Sequence, residues 1–327
     1  DIVYSTKMST ATLDRTFVVS RTGAIVVDRS HEGRLRAVGR DRLDLLHRMS
    51  TNDLNSLPVG EARRTVLTTA IGRMVDVLWV LNRGEQVLCL TGEGRAEAAR
   101  KWLSGYVFYN DKVVFEDVSN GLTQLGVYGP RAGAVLNTVA NGVEALAENQ
   151  FVERDNVIVL RGHPFGAQGF TVIAPRDQLT VVWEQVVAAG AVPADEAAYH
   201  TLRLAAGVPG AGREITEEYI PLEANLWSAV SFSKGCYIGQ EVIARMESRG
   251  KLARRLVGLR LDAPVSAGAE VRVADSETVV GSVTSAGLIP GVGPAALAYL
   301  KAAHTEAGTQ VSMGDVRGVV VELPFQQ

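Results

Sequence analysis

The octapeptide Lys234-Gly235-Cys236-Tyr237-Ile238-Gly239-Gln240-Glu241 runs straight into a basic segment in which Ile238, Val242 and Met246 recur every fourth residue. Ile243 widens that apolar face and Gly250 closes the run, so the spacing predicts an amphipathic helix of about three turns. The octapeptide is then a loop leading into a helix. The free N–H groups and the positive dipole end at a helix start favour an anion. A thiol just before it, two residues from Lys234, is expected to lose its proton more readily than an ordinary cysteine. Cys236 is therefore a candidate reactive thiol, set against the alternative of a small buried apolar residue. The other cysteine, Cys89, sits in the apolar run Val87-Leu88-Cys89-Leu90 and reads as core.

At 327 residues with 46% apolar content, the chain is long enough for two or three domains with cores of their own. A net charge of −3 with 6% aromatic residues gives no general attraction to nucleic acid, and no apolar window approaches the length of a membrane span. A local basic patch does exist. Lys234, Arg245, Arg249, Lys251, Arg254, Arg255 and Arg260 face only Glu241 and Glu247 over that stretch. It reads either as a solvated face or as an anion-binding one. Two cysteines with no C-x-x-C spacing argue against a disulfide framework or a structural zinc, and the reducing cytoplasm is the expected compartment. The N-terminus shows neither an initiator Met nor a signal-peptide apolar core, which suggests numbering from a processed start. His31, His47, His163, His200 and His304 show no ligand spacing, so no protein-bound metal is expected.

Along the chain, Phe17-Val18-Val19 and Ala24 to Val27 read as short strands. Arg34 to Val38 alternates as another, and Gly39-Arg40-Asp41 opens a helix carrying Leu43, Leu46 and Met49. Strands follow at 65–69, 74–81 and 86–90, then a helix at 94–104, and a further mixture of strands and helices reaches residue 206. Helices and strands interleave without regular β-α repetition, which indicates an α+β class. After Arg255 the pattern becomes short strands divided by Pro and Gly, as in a small β-barrel, with the boundary placed near Lys251.

The octapeptide is preceded by Ile220-Pro221, Asn225-Leu226 and Val230-Ser231-Phe232 and followed by Ala244-Arg245 and Arg249-Gly250. Together these resemble the signature of YgfZ-type folate-binding proteins, a branch of the aminomethyltransferase superfamily that also holds the glycine cleavage T-protein. The resemblance covers nearly the whole chain. It implies an aminomethyltransferase-like folate-binding domain over residues 1–250 and a C-terminal β-barrel domain over 251–327. It also implies tetrahydrofolate or a derivative as cofactor, and a role in iron–sulfur cluster assembly or repair with client or assembly proteins as partners. Neither nucleic acid nor membrane is among them.

Carried over position by position, the resemblance makes Cys236 the functional thiol and Lys234, Gly235, Tyr237, Gly239, Gln240 and Glu241 its ligand-binding surroundings. Arg203 with Asp76 would line a central folate cavity, and Arg245, Arg249 and Lys251 would meet the glutamate tail. The same superfamily admits a tetrahydrofolate-dependent aminomethyltransferase. In such an enzyme an acidic residue follows a glycine turn, here Gly72-Arg73-Met74-Val75-Asp76-Val77-Leu78. Asp76, flanked by apolar residues on a strand, is expected to have a raised pKa and to handle a proton; strict alternation also allows it to point outward. The segment 164–171 keeps Gly166, Gly169 and Phe170 of a pterin-contacting pattern, with Gln168 or Thr171 as a weaker acceptor. Leu202 to Pro209 matches the form usual in the YgfZ branch, with Ala205 where the transferases carry Glu.

Overall fold

A computed structural model of the chain describes residues 10–163, 165–274 and 276–325. In chain order it contains α1 (Thr10–Thr22), β1 (Ile25–Asp28), β2 (Glu32–Val38), α2 (Arg42–Met49), β3 (Ala62–Thr68), β4 (Met74–Asn82), β5 (Gln86–Glu93), α3 (Ala96–Ser104), β6 (Val114–Asp117), β7 (Leu122–Tyr128) and α4 (Ala132–Leu136). Then come β8 (Phe151–Arg154), β9 (Val157–His163), β10 (Gly166–Pro175), α5 (Leu179–Ala188), β11 (Val192–Ala194), α6 (Glu196–Ala206) and α7 (Gln240–Arg249). The rear of the chain supplies β12 (Arg254–Leu261), β13 (Glu270–Val273), β14 (Val279–Ile289), β15 (Gly293–Lys301), β16 (Gln310–Met313) and β17 (Val316–Val321).

The strands form three sheets, in the orders β11-β1-β7-β10-β9-β8, β3-β4-β5-β2-β6 and, as a closed barrel, β12-β15-β14-β13-β16-β17. The class is α+β, as the irregular interleaving predicts. Closure of the barrel removes every free edge from the rear strands. One element differs from expectation: Phe17-Val18-Val19, read as a strand, lies inside α1. A three-residue β-branched or aromatic run is a weak local preference, and the surrounding chain overrides it.

Two compact units result. The first is made of Asp1–Leu67, Asp76–Tyr199 and Ser233–Tyr237, the second of Thr68–Val75, His200–Phe232 and Ile238–Gln327. Within the first, strand alternation divides β9 between two cores. Val157 and Val159 pack with Val26, Val127, Val135, Leu136 and Val186 under the helices α4 and α5. Ile158 and Leu160, on the other face, meet Leu81, Leu88 and Leu90 of the five-stranded sheet. Each such fully buried side chain contributes roughly 1.5–3 kcal/mol. In the second unit the barrel is filled by Leu259, Val271, Val280, Ala296, Ala298, Leu300 and Val311.

Candidate active site

The helix read from the octapeptide is α7, and glycines set both of its ends. Gly239 precedes it with φ 84°, and Gly250 follows with φ 58°, its N–H bonded to Glu247 O at 3.1 Å. A Cβ on Gly239 would stand 2.6 Å from Thr69 O and 2.8 Å from Gly72 Cα, so only glycine fits. Ile243 is buried, Gln240 half-buried, and Glu241 and Arg245 are exposed; the side chain of Arg249 lies outside the described residues.

The Lys234 ammonium is taken up by main-chain carbonyls. Its Nζ donates to the carbonyls of Ser50 at 2.7 Å, Asn52 at 3.1 Å and His47. These groups lie at the C-terminal end of α2, where unpaired carbonyls carry partial negative charge. The same Nζ sits 4.9 Å from the centre of the Tyr237 ring. Burial pulls the Lys234 ammonium down to about 8 and pushes the Tyr237 hydroxyl up to about 12. Lys234 therefore works as an anchor that holds the loop on α2. Cys236, in that loop, is exposed.

The anchored loop brings a residue that sequence reasoning passed over. An added Cβ on Gly235 would find only His47 Nε2 nearby, at 4.0 Å. His47 Nδ1 accepts the N–H groups of Leu54 at 3.2 Å and Asn55 at 3.4 Å, and Asp53 Oδ1 lies 3.1 Å away. Burial, and then the charge of Lys234, lower its pKa, so the imidazole is neutral. Nε2 is the nitrogen that faces Gly235.

Asp76, whose orientation alternation left open, is buried, with 1% of its surface exposed. Its Oδ1 accepts the Val77 N–H at 2.9 Å and its Oδ2 the Gly92 N–H at 3.2 Å. Loss of solvent raises its pKa to about 6, against the opposing pull of those two donors. A carboxyl group that titrates about pH 6 can take a proton near neutral pH and return it.

Arg203 belongs to the second unit and is buried in a network of its own. Nη1 donates to Glu214 Oε2 at 2.8 Å and Val208 O at 2.7 Å, and Nη2 to Ser285 Oγ at 2.6 Å. Glu214 Oε1 accepts the Ser285 hydroxyl at 2.6 Å, and its main-chain oxygen accepts the Tyr299 hydroxyl at 2.9 Å. Arg203 thus ties α6 to β14 of the barrel.

In the first unit an aromatic group forms that no motif marked. Arg29 lies 3.5 Å from the centre of the Tyr199 ring and pairs with Glu32 and Glu196. Phe165 packs at 5.1 Å from Tyr128 and 5.3 Å from Tyr199. In the segment expected to hold pterin contacts, Gln168 is exposed and Thr171 buried, and residue 164 lies outside the described ones. Among the described residues no group of three or more His, Cys, Asp or Glu side chains is placed to hold a metal ion, and no helix is long and apolar enough to cross a membrane.

Residues 3–234 match the model of the GCVT N-terminal domain, and residues 254–326 that of the glycine cleavage T-protein C-terminal barrel domain. The chain belongs to the glycine cleavage T-protein family. Within that family it is 31% identical over 324 residues to an aminomethyltransferase of Bacillus cytotoxicus, covering 93% of this chain and 87% of the relative. It is 32% identical over 312 residues to a putative chloroplastic transferase of Arabidopsis thaliana, covering 93% and 71%. The fold is that of the glycine cleavage system aminomethyltransferase T of Bartonella henselae, with a TM-score of 0.86 at 24% identity over 96% of this chain and 89% of that one. The T-protein models leave residues 235–253 between them, the stretch that carries Cys236 and α7.

Proposed function

We propose that the chain is a folate-dependent one-carbon transferase of aminomethyltransferase type, with Asp76 as the group that moves the proton. The buried carboxyl group of Asp76, raised to about 6, carries this reading. Relatives named aminomethyltransferase support it. Tetrahydrofolate, when bound, supplies the nitrogen that accepts the one-carbon unit. The residues of the first unit suit such a ligand: Phe165, half-buried against Tyr128 and Tyr199, offers an aromatic surface on which a flat ring can stack. Asp76, fixed by the Val77 and Gly92 N–H groups, takes a proton at a carboxylate oxygen or returns it without reorienting. The test is turnover of an aminomethyl or methyl donor with tetrahydrofolate. Asp76→Asn should lower kcat by about 10²-fold or more, and unchanged turnover would remove Asp76 from this role.

A second reading rests on a different observation, the exposed thiol of Cys236 in a loop outside both T-protein models. On it, the chain is a YgfZ-type protein that supports iron–sulfur enzymes through Cys236. A single thiolate cannot hold a cluster by itself, so the client or assembly protein must bring the other ligands. Cells carrying Cys236→Ala would then lose iron–sulfur enzyme activity while Asp76→Asn cells keep it; on the transferase reading Asp76→Asn lowers turnover and Cys236→Ala leaves iron–sulfur enzymes untouched.

A further inference from the structure

Arg63 and Arg64 are neighbours on β3 with different surroundings. Arg63 Nη1 donates to Ser56 Oγ at 3.0 Å and to Asp53 O. The main chain of Arg64 is held as well, its carbonyl accepting Asn52 Nδ2 at 2.8 Å. Its guanidinium is not. The Arg64 side chain is half-buried, its Nε is fully buried without an acceptor, and it forms no ion pair with any described residue. Burial pulls the group down to about 10, and the Tyr199 hydroxyl is the one titratable group whose charge opposes that pull.

Several other arginines of the first unit have carboxylate partners: Arg29 has Glu32 and Glu196, Arg48 has Asp44 and Asp111, and Arg83 has Glu153. The fully buried Arg34, which forms no ion pair with any described residue and whose Nε and Nη1 also lack acceptors, has its Nη2 held by the carbonyls of Ser30 at 3.0 Å and Ser119 at 2.9 Å. A desolvated cation without a counter-charge is costly, and an arriving anion removes that cost.

We propose that Arg64 is an anion-recognising residue of the first unit, and that the molecule bound there presents a carboxylate to its guanidinium fork. A single uncompensated positive charge suits a monoanion better than a phosphate dianion, and the planar fork matches the two oxygens of a carboxylate. The proposal deepens the transferase reading and rests on it for the identity of the ligand: the carboxylate belongs either to the glutamyl tail of the folate or to the amino acid that donates the carbon.

Calorimetric titration of wild type and Arg64→Gln separates the two sources. One pair of probes is tetrahydrofolate and tetrahydropteroate, which lacks the glutamyl group; the other is N-methylglycine and N-methylglycinamide. Arg64→Gln should weaken the carboxylate-bearing member of one pair by about tenfold or more and leave its carboxylate-free counterpart unchanged. The pair that responds names the source. Arg64→Lys, which keeps charge but not the fork, should fall between. Without ligand, Arg64→Gln should melt at or above the wild-type temperature, because it removes an uncompensated buried charge. Equal effects on both members of each pair, no effect on any probe, or a lower melting temperature in the free protein would each overturn the proposal. Absence of tetrahydrofolate binding to wild type would instead count against the transferase reading, and the N-methylglycine pair would still decide the role of Arg64.

Discussion

At Asp76, burial and hydrogen bonding pull in opposite directions, and the balance can be read by titration. The folded value of about 6 lies above the roughly 3.9 of an unfolded aspartate, so the folded chain binds the extra proton between those limits. The stability contributed by this group is fully present below about pH 4 and is lost as pH rises through 6. The loss amounts to about 3 kcal/mol. Asp76→Asn should flatten that part of the profile, and urea midpoints from pH 4 to 7.5 for both proteins would show it. The two thiols make a simpler pair. Cys236 is exposed, whereas burial pushes Cys89 up to about 12. A brief treatment of the native protein with iodoacetamide should modify Cys236 alone, and Cys236→Ala should leave mass spectrometry with no adduct until the chain is unfolded.

At the scale of elements, the start of α7 depends on one backbone position. Gly239→Ala would place a methyl against Thr69 O and Gly72 in a left-handed conformation, and should cost roughly 2–4 kcal/mol. Chemical denaturation would measure the loss. The tie between α6 and β14 is comparable: Arg203→Ala leaves Glu214 buried without its cation, and about 3–5 kcal/mol should go with it. These two sites also mark what a single sequence can convey. The end of α7 was legible because Gly250 closes the apolar run, but its start was not: Ile238, read on the helical face, lies before Gly239 and outside the helix. The rear strands were legible because Pro and Gly punctuate them. The partners of Arg203 were not: Glu214 is 11 residues away and Ser285 is 82, and no local pattern encodes such a meeting. For the same reason His47 escaped notice, since its approach to Gly235 depends on Lys234 reaching back to α2. The burial of Asp76 required knowing which face of β4 is covered, which alternation by itself leaves undecided.

On the scale of the molecule, the barrel strands share the second unit with residues 200–232. Tyr219 stacks on Tyr299 with ring centres 3.4 Å apart, and Glu223 accepts the Arg254 N–H at 3.2 Å while its carbonyl receives the Leu256 N–H. A chain stopped at residue 250 would lose these partners and uncover Glu214. Such a fragment should be insoluble or molten, with no cooperative thermal transition, whereas the full chain should melt sharply.

The two units are also threaded through each other along the sequence: the first takes in Ser233–Tyr237, and the second takes in Thr68–Val75. On a ribosome, which releases the chain from its N-terminus at about 5–20 residues per second, the first unit must wait for its last segment until residue 237 has emerged. By then Thr68–Val75 has long been outside, without most of the unit it will join. Thr68–Val75 therefore waits many seconds for most of its unit to be made, and slow or paused synthesis would lengthen that interval. The loop bearing Cys236 is the piece that closes the first unit, so completion of that unit and presentation of the thiol fall at the same moment in the life of the nascent chain.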